Sequence, residues 1–168
     1  MTAAQDDTAR MASIMWPLVI VARNTSGPVL ELGVGDYSTP LLHALCKGAG
    51  RDLVSYDGDP GWGARYGARI AENWDAIPIE RPWGLAIVDH APYYRRIIDA
   101  RRLAPWAEVT FIHDTEAECY GWSRLWREFD WVYHCQRHEL WSTVAGRGAP
   151  PPWVARELVT GQFLGRYR

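Results

Sequence analysis

Residues Val29 to Cys46 read VLELGVGDYSTPLLHALC, and this stretch decides the fold. An apolar run, Val29 to Leu32, meets a turn holding Gly33 and Gly35, flanked by the acids Glu31 and Asp36 and the hydroxyls Ser38 and Thr39. A leucine-rich segment follows. The pattern is a buried strand, a glycine turn and a helix. Ser38 or Thr39 is expected to cap that helix, with Pro40 at its first position. Leu41, Leu42 and Leu45 should face inward, and Gly48 should stop the helix.

Working outward, Met11, Met15, Leu18 and Val19 recur at helical spacing, so residues 8–23 read as a helix with a weak point at Pro17. Leu53 to Tyr56 reads as a second strand. Asp59 and Pro60 then cap a helix on which Trp62, Tyr66, Ile70 and Trp74 share one face. Ile77 to Glu80 reads as a short edge strand, where Pro78 is tolerated. Leu85 to Val88 is a continuous apolar run, as in a strand covered on both faces. A helix over residues 93–103 should turn Tyr94, Ile97 and Ile98 inward, and Val109 to Ile112 is the next buried strand. Thr115 and Glu118 make a capping box for a helix carrying Trp122, Leu125, Trp126 and Phe129. Trp131 to Cys135 and Leu140 to Val144 read as a closing pair of strands, and Pro150 to Pro152 leads into a polar tail. With no internal repeat or low-complexity linker, residues 1–168 read as one domain.

Strands alternating with helices make a parallel α/β sheet, whose ligand site lies outside the carboxyl ends of the strands. Those ends carry Gly33 to Asp36, Asp57, Asp89-His90 and His113-Asp114. Acids and histidines therefore converge on one rim.

Composition narrows the partners. A net charge of −2 gives no electrostatic case for nucleic acid or an anionic membrane. Of the 18 lysines and arginines only Lys47 is lysine, which leaves catalysis by lysine almost no candidate. Cys46, Cys119 and Cys135 form no CxxC pair, so they read as reduced thiols in a cytoplasmic protein rather than as a disulfide or zinc framework. The apolar run Met15 to Ala22 falls short of the roughly 18 residues that a membrane span needs. Asp6 and Asp7 do not suit a signal peptide. The expected partner is a small molecule.

Three ligands suit a glycine turn that opens a helix. A nucleoside triphosphate calls for GxxxxGK[ST], which is absent. A dinucleotide calls for G-x-G-x-x-G, but here the third glycine is Ser38. Glu31 and Asp36 would also set carboxylates beside a pyrophosphate. A ligand with a cationic end removes that conflict, and S-adenosylmethionine has one. Its ammonium can donate to acids, and its carboxylate can accept from Ser38, Thr39 or backbone amides. Asp57, ending the second strand, can accept from ribose hydroxyls. A dinucleotide protein uses an acid there too, so the turn, and not Asp57, discriminates.

On these residues the chain resembles the class I S-adenosylmethionine-dependent methyltransferases. E-L-G-V-G-D-Y-S-T is similar to their first motif, Asp57 stands at their second, acidic motif, and Asp89 matches their strand-four acid. The resemblance runs from about Val29 to Val144. It implies a Rossmann-like, doubly wound, mostly parallel seven-stranded sheet of order 3-2-1-4-5-7-6, closed by the Trp131–Val144 hairpin. It implies S-adenosylmethionine as cofactor, with Glu31, Gly33, Gly35, Tyr37, Ser38, Thr39, Asp57, Gly58 and Asp89 as its contacts. Glu31-Leu32-Gly33 and Tyr37-Ser38 are similar to the catechol O-methyltransferase-like group. F-I-H-D-T-E is similar to the end of strand five in glucuronoxylan-type methyltransferases. The chain departs from the pattern between Asp57 and Leu85, which is too short for a full strand three and its helix. It reads as a minimal version with no appended substrate domain.

For catalysis the candidates are Asp89, His90, His113 and Asp114. If the acceptor is a small-molecule or saccharide hydroxyl, His90 or His113 can remove its proton. The catechol O-methyltransferase-like resemblance also implies a metal on Asp89 and Asp114, but that group's third ligand, an asparagine, is Thr115 here, and the site is expected to be metal-free. Structural roles compete: Asp89 can cap the helix near Pro92. Trp83, Trp106, Trp141 and Trp153 are candidates for an aromatic wall, and Arg95, Arg96, Arg101 and Arg102 read as a solvated cluster. The competing functions are a non-catalytic S-adenosylmethionine-binding or regulatory protein and an NAD-dependent oxidoreductase, the latter disfavoured by Ser38.

Overall fold

The computed structural model of the chain describes residues 3–116, 121–136, 140–158 and 161–163. Strand β1 (Val29–Leu32) forms where the apolar run places it, with all its residues buried. It lies parallel between β2 (Leu53–Asp57) and β4 (Trp83–Val88), which sets Leu32 beside Tyr56 on one side and Val88 on the other. A two-residue β3 (Arg69–Ile70) pairs parallel with β2, and β5 (Ala107–His113) pairs parallel with β4. Beyond β5 the pairing turns antiparallel through β6 (Trp131–Cys135), β7 (Ser142–Gly146) and β8 (Gly161–Phe163). The order is β3-β2-β1-β4-β5-β7-β6-β8. Its first seven strands stand in the order that the resemblance implies, in a mostly parallel Rossmann-like sheet. The eighth is an addition.

Helices cover both faces. On one lie α1 (Ala3–Asn24), α2 (Ser38–Ala49) and α6 (Pro152–Glu157), with Leu18, Leu42 and Val154 packed on Val29, Leu85, Ile87 and Phe111. On the other, α4 (Arg95–Leu103) and α5 (Trp122–Leu125) pack Leu103 and Leu125 on Leu30, Leu32, Val88 and Ile112. Alternate residues of β1 and β4 thus feed opposite cores, as a strand covered on both sides requires. Each fully buried leucine or isoleucine contributes about 1.5–3 kcal/mol, so the centre of the sheet is its best-held part. Among the described residues no helix is long and apolar enough to cross a membrane.

Several local expectations are corrected. The helix expected to run from Asp59 to Trp74 is the short α3 (Pro60–Tyr66), ended by Gly67 in the left-handed region at φ 69°. Ile70 therefore enters β3, and Trp74 opens a 3-10 turn, Trp74–Ala76. The four-residue spacing was shared by three elements. Strand three is thus Arg69–Ile70, while residues 77–80 form no strand. On α2, Tyr37 rather than Ser38 or Thr39 occupies the cap position, no side chain caps it, and the helix runs on to Ala49 with Gly50 beyond. Strand β7 lies two residues later than expected, a shift that keeps the same side chains on the same faces. The polar tail instead contains α6 and β8, with Trp153 and Val154 buried. Glu118 of the expected capping box, and Cys119, lie outside the described residues; α5 begins only at Trp122.

Candidate functional site

The turn after β1 is fixed by close backbone approach. Gly33 has φ 90°, and a Cβ there would stand 2.6 Å from the Asp89 carbonyl oxygen and 2.7 Å from the His90 Cα. Only glycine fits, because the left-handed backbone and the contact with the end of β4 exclude a side chain together. Its N–H donates to the Tyr56 carbonyl at 2.8 Å. The ends of β1, β2 and β4 are thus locked together at this residue.

Beneath the turn lies Glu31, fully buried. Its carboxylate accepts from Ser38 Oγ at 3.1 Å, Thr39 Oγ1 at 2.9 Å and Ser55 Oγ at 2.7 Å. Thr39 Oγ1 in turn accepts from the Gly35 N–H at 2.9 Å. Burial pushes the Glu31 carboxyl up to about 7, against the hydrogen bonds from Ser55, Thr39 and Ser38 that pull it down. The side chains of Glu31, Ser38 and Thr39 are therefore spent on one another, beneath the surface that a ligand would touch. What the turn offers outward is backbone, with Tyr37 exposed beside it.

Asp57 faces the same turn from the end of β2. Its Oδ2 accepts from the Val34 N–H at 2.9 Å and its Oδ1 from the Asp59 N–H at 2.7 Å. A carboxylate has about four acceptor sites, so two more hydrogen bonds can be taken, and Asp57 is only half-buried. Next to it Gly58 is exposed, and a Cβ there would lie 3.6 Å from the Trp74 indole, an ordinary contact. Asp36, at the far lip, is paired with Arg65 at 2.9 Å and accepts from the Tyr66 hydroxyl.

The ends of β4 and β5 carry the other candidates. Asp89 and Asp114 are half-buried, and His113 stands between them, its Nδ1 3.4 Å from Asp89 Oδ1 and 3.1 Å from Asp114 Oδ1. Burial opposes charge on both His113 and Asp89. The hydrogen bond and ion pair between them outweigh it, holding His113 above the usual imidazole range and Asp89 below the usual carboxylate range. Asp114 adopts φ 56°, unusual for a residue with a side chain, which turns it back toward the cluster. His90 does not join them. It is 1% exposed, its Nε2 is 3.0 Å from Asp99 Oδ2, and its ring lies against Trp74 at 4.2 Å between centroids. The sequence brings Asp89, His113 and Asp114 together at the rim and sends His90 into the core beneath Trp74.

Two residues that hold this rim were not legible as such. The predicted inward face of α4 holds only for Ile97, which packs on the core: Tyr94 and Ile98 are exposed, whereas Arg96, Asp99, Ala100 and Leu103 are buried. Arg96 is no surface arginine. Its Nε–H donates to the His90 carbonyl at 3.0 Å, Nη1 to the His113 carbonyl at 3.2 Å and to Asp114 Oδ2 at 2.9 Å. Nη2 reaches the Asp89 carbonyl at 3.2 Å and Asp89 Oδ1 at 3.0 Å. Asp99, fully buried, is held by His90, by Arg95 at 2.9 Å and by Arg102 at 2.8 Å. Arg102 also donates to the carbonyls of Trp74 and Ile77, which pins the segment after β3 to α4. The spacing 96, 99, 100, 103 is itself helical and marks one face. Hydropathy alone found Ile97 and missed the rest of this face.

The tryptophans divide differently from expectation. Trp83 and Trp106 stand at the opposite ends of β4 and β5 from the rim, and Trp153 packs on the far face of the sheet. Trp141 lies near His134, at 6.2 Å between ring centroids. Trp74 is the indole at the β2–β4 edge of the site. His134 is held by Thr143 at 2.6 Å, and burial lowers its imidazole to about 4. Burial pushes the Cys135 thiol up to about 12, so it is no nucleophile at neutral pH.

No family model and no curated protein matches the sequence. Among solved structures the fold is similar to the N-terminal domain of EvdMO1 with SAH bound, at a TM-score of 0.54 and 12% identity over 85% of this chain and 80% of that one. It is equally similar to the same domain in the presence of SAH and D-fucose, at a TM-score of 0.53 and 11% identity, covering 85% of this chain and 82% of that chain. At such identities the likeness is one of fold: this chain shares the Rossmann-like architecture of a domain crystallised with SAH.

Proposed function

We propose that this protein is an S-adenosylmethionine-dependent methyltransferase acting on a hydroxyl group of a small molecule or saccharide. The observation that carries the reading is the turn after β1: a glycine pressed onto the end of β4, with the half-buried carboxylate of Asp57 beside it and acceptor sites on that carboxylate still open. That acceptor set fits a ligand with hydroxyls at one end and positive charge at the other, and it does not fit a pyrophosphate. The fold neighbour carrying SAH (S-adenosylhomocysteine, the product of such a transfer) supports it.

S-adenosylmethionine, when bound, supplies an electrophilic methyl on a sulfonium. The chain does the rest. Asp57 would hold the cofactor by its two ribose hydroxyls, and Gly33 and Gly35 would let the backbone come close. Asp89, kept ionised by His113 and Arg96, would hold the positive end of the ligand. His113, buried between Asp89 and Asp114, would take the acceptor's proton, with the two carboxylate charges stabilising the imidazolium formed. Alignment of acceptor and methyl supplies most of the rate. His90 supports the site from below without touching it.

The test is a transfer assay with methyl-labelled S-adenosylmethionine over a panel of hydroxyl compounds and sugars. Label should appear on an acceptor, and His113→Ala should cut the rate by about 10²–10⁴-fold while cofactor affinity holds. The rate should rise with pH through a pKa above the ordinary histidine value, because the base works only when neutral and its folded pKa is raised. Cofactor binding with no transfer across the panel would favour a non-catalytic binder. NAD binding without S-adenosylmethionine binding would favour an oxidoreductase.

A further inference from the structure

One atom each of Asp89, His113 and Asp114 lies within 4.8 Å of the others, the spacing of a cation site, at the strand ends where the catechol O-methyltransferase-like resemblance implies a metal. The residues present do not fit one. Arg96 already bridges the two carboxylates, with Nη2 at 3.0 Å from Asp89 and Nη1 at 2.9 Å from Asp114. Of a guanidinium's five N–H donors, four here donate to Asp114 and to the carbonyls of Asp89, His90 and His113, and Nη2 also ion-pairs with Asp89. Because those carbonyls end β4 and β5, the arginine is fixed by the backbone and cannot swing aside without orphaning several buried acceptors. A divalent ion bridging the same carboxylates would sit beside a fixed cation of like sign and would have to break an ion pair to bind. Thr115, at the position of the third ligand in that resemblance, bonds Thr143 Oγ1 at 2.7 Å and is buried.

We infer that Arg96 is the resident cation of the Asp89–His113–Asp114 cluster, and that it keeps divalent ions out. It is a positioning residue: it neutralises the two carboxylates, holds them on either side of His113, and joins the ends of β4 and β5. For its chemical consequence, a transfer step that needs no metal, the inference rests on the methyltransferase reading. Its geometry does not.

Mn²⁺ is the probe, followed by calorimetry, by the electron spin resonance of the ion and by thermal melting of the full chain, with no S-adenosylmethionine present. The wild-type chain should take up no Mn²⁺ at this cluster and keep its melting temperature. Arg96→Ala removes the cation and leaves two carboxylates and an imidazole, so it should bind Mn²⁺ at least tenfold more tightly than wild type, with a rise in melting temperature of about 2–4 °C at saturating ion. Arg96→Lys, which restores a positive charge, should respond as wild type does, and adding Asp114→Asn to Arg96→Ala should abolish the gain. A merely structural arginine would produce none of this pattern. Should Arg96→Ala not fold alone, its recovery in Mn²⁺ supports the inference and its failure to recover counts against it. Mn²⁺ binding to wild type that Asp114→Asn removes, or no gain in Arg96→Ala, overturns it. These readouts are silent about methyl transfer, so either reading can fail without the other.

Discussion

The two halves of the rim are built by different means. On the β1–β2 side, the site is backbone: Gly33 against Asp89 and His90, the Val34 N–H on Asp57, and a buried carboxylate that braces the turn from beneath. On the β4–β5 side it is side chain: Arg96 and Asp99 reach from α4 to bind strand ends, carbonyls and histidines. The first kind of site tolerates no added atom. The second tolerates no missing charge.

Breaking the charge network should cost most. Asp99→Ala leaves the buried His90 and the half-buried Arg95 and Arg102 around an absent carboxylate, and removing one partner of a buried ion pair costs up to about 3–5 kcal/mol, less where water reaches the arginines. Urea unfolding at pH 7 measures it; a loss below about 1 kcal/mol would mean that water screens the network. On the other side Gly33→Ala adds a Cβ in a left-handed conformation against immovable backbone. Strain and overpacking of roughly 1–3 kcal/mol each should add. A stable, unshifted Gly33→Ala variant would show that the turn relaxes, and the contrast between the halves would fall.

These two sites also differ in how far the sequence discloses them. The glycine turn, Asp57 and the strands themselves follow from local signals: apolar runs, a glycine pair and acids at strand ends, each fixed by its own few residues, whereas the strand order came only with the family resemblance. The Arg96–Asp99 support does not, because its value depends on which way α4 faces. Here tertiary contacts override hydropathy, burying an arginine and an aspartate while Tyr94 and Ile98 stay exposed. The even spacing of Trp62, Tyr66, Ile70 and Trp74 misled for a related reason: a single left-handed glycine, Gly67, ends the helix and converts one periodicity into three elements. Asp89, His90, His113 and Asp114 were all readable as strand-end residues. That His90 turns to Asp99 and His113 to Asp89 and Asp114, both of them buried, was not, since both follow apolar runs.

A smaller effect sharpens the comparison through pH. The Glu31 carboxyl is raised in the folded state, so its contribution favours the fold at low pH and is lost as pH rises from the unfolded value, about 4.5, to about 7. By linkage the change is roughly 3 kcal/mol at most. His134 runs the other way: its folded value is lowered to about 4, so stability is lost as pH falls below the ordinary histidine value. The two offset each other in the wild-type chain. Glu31→Gln should expose the His134 slope, with stability climbing between pH 4 and 6.5 and matching or exceeding wild type at pH 8. Parallel pH profiles for the two proteins, by thermal melting, would show that Glu31 does not titrate in this window.

The most direct test of the central claim is calorimetric titration of S-adenosylhomocysteine into the wild-type chain and into Asp57→Ala. If the ribose hydroxyls donate to Asp57, each charged hydrogen bond removed costs about 1.5–3 kcal/mol, so binding should weaken tenfold or more. Melting curves of the variant, run alongside, allow for the Val34 and Asp59 amides that also lose their acceptor. Saturable binding to the wild type, with that loss in a folded variant, is the result expected. No binding to the wild type, or equal affinity in both, would contradict a cofactor site built on the glycine turn and Asp57.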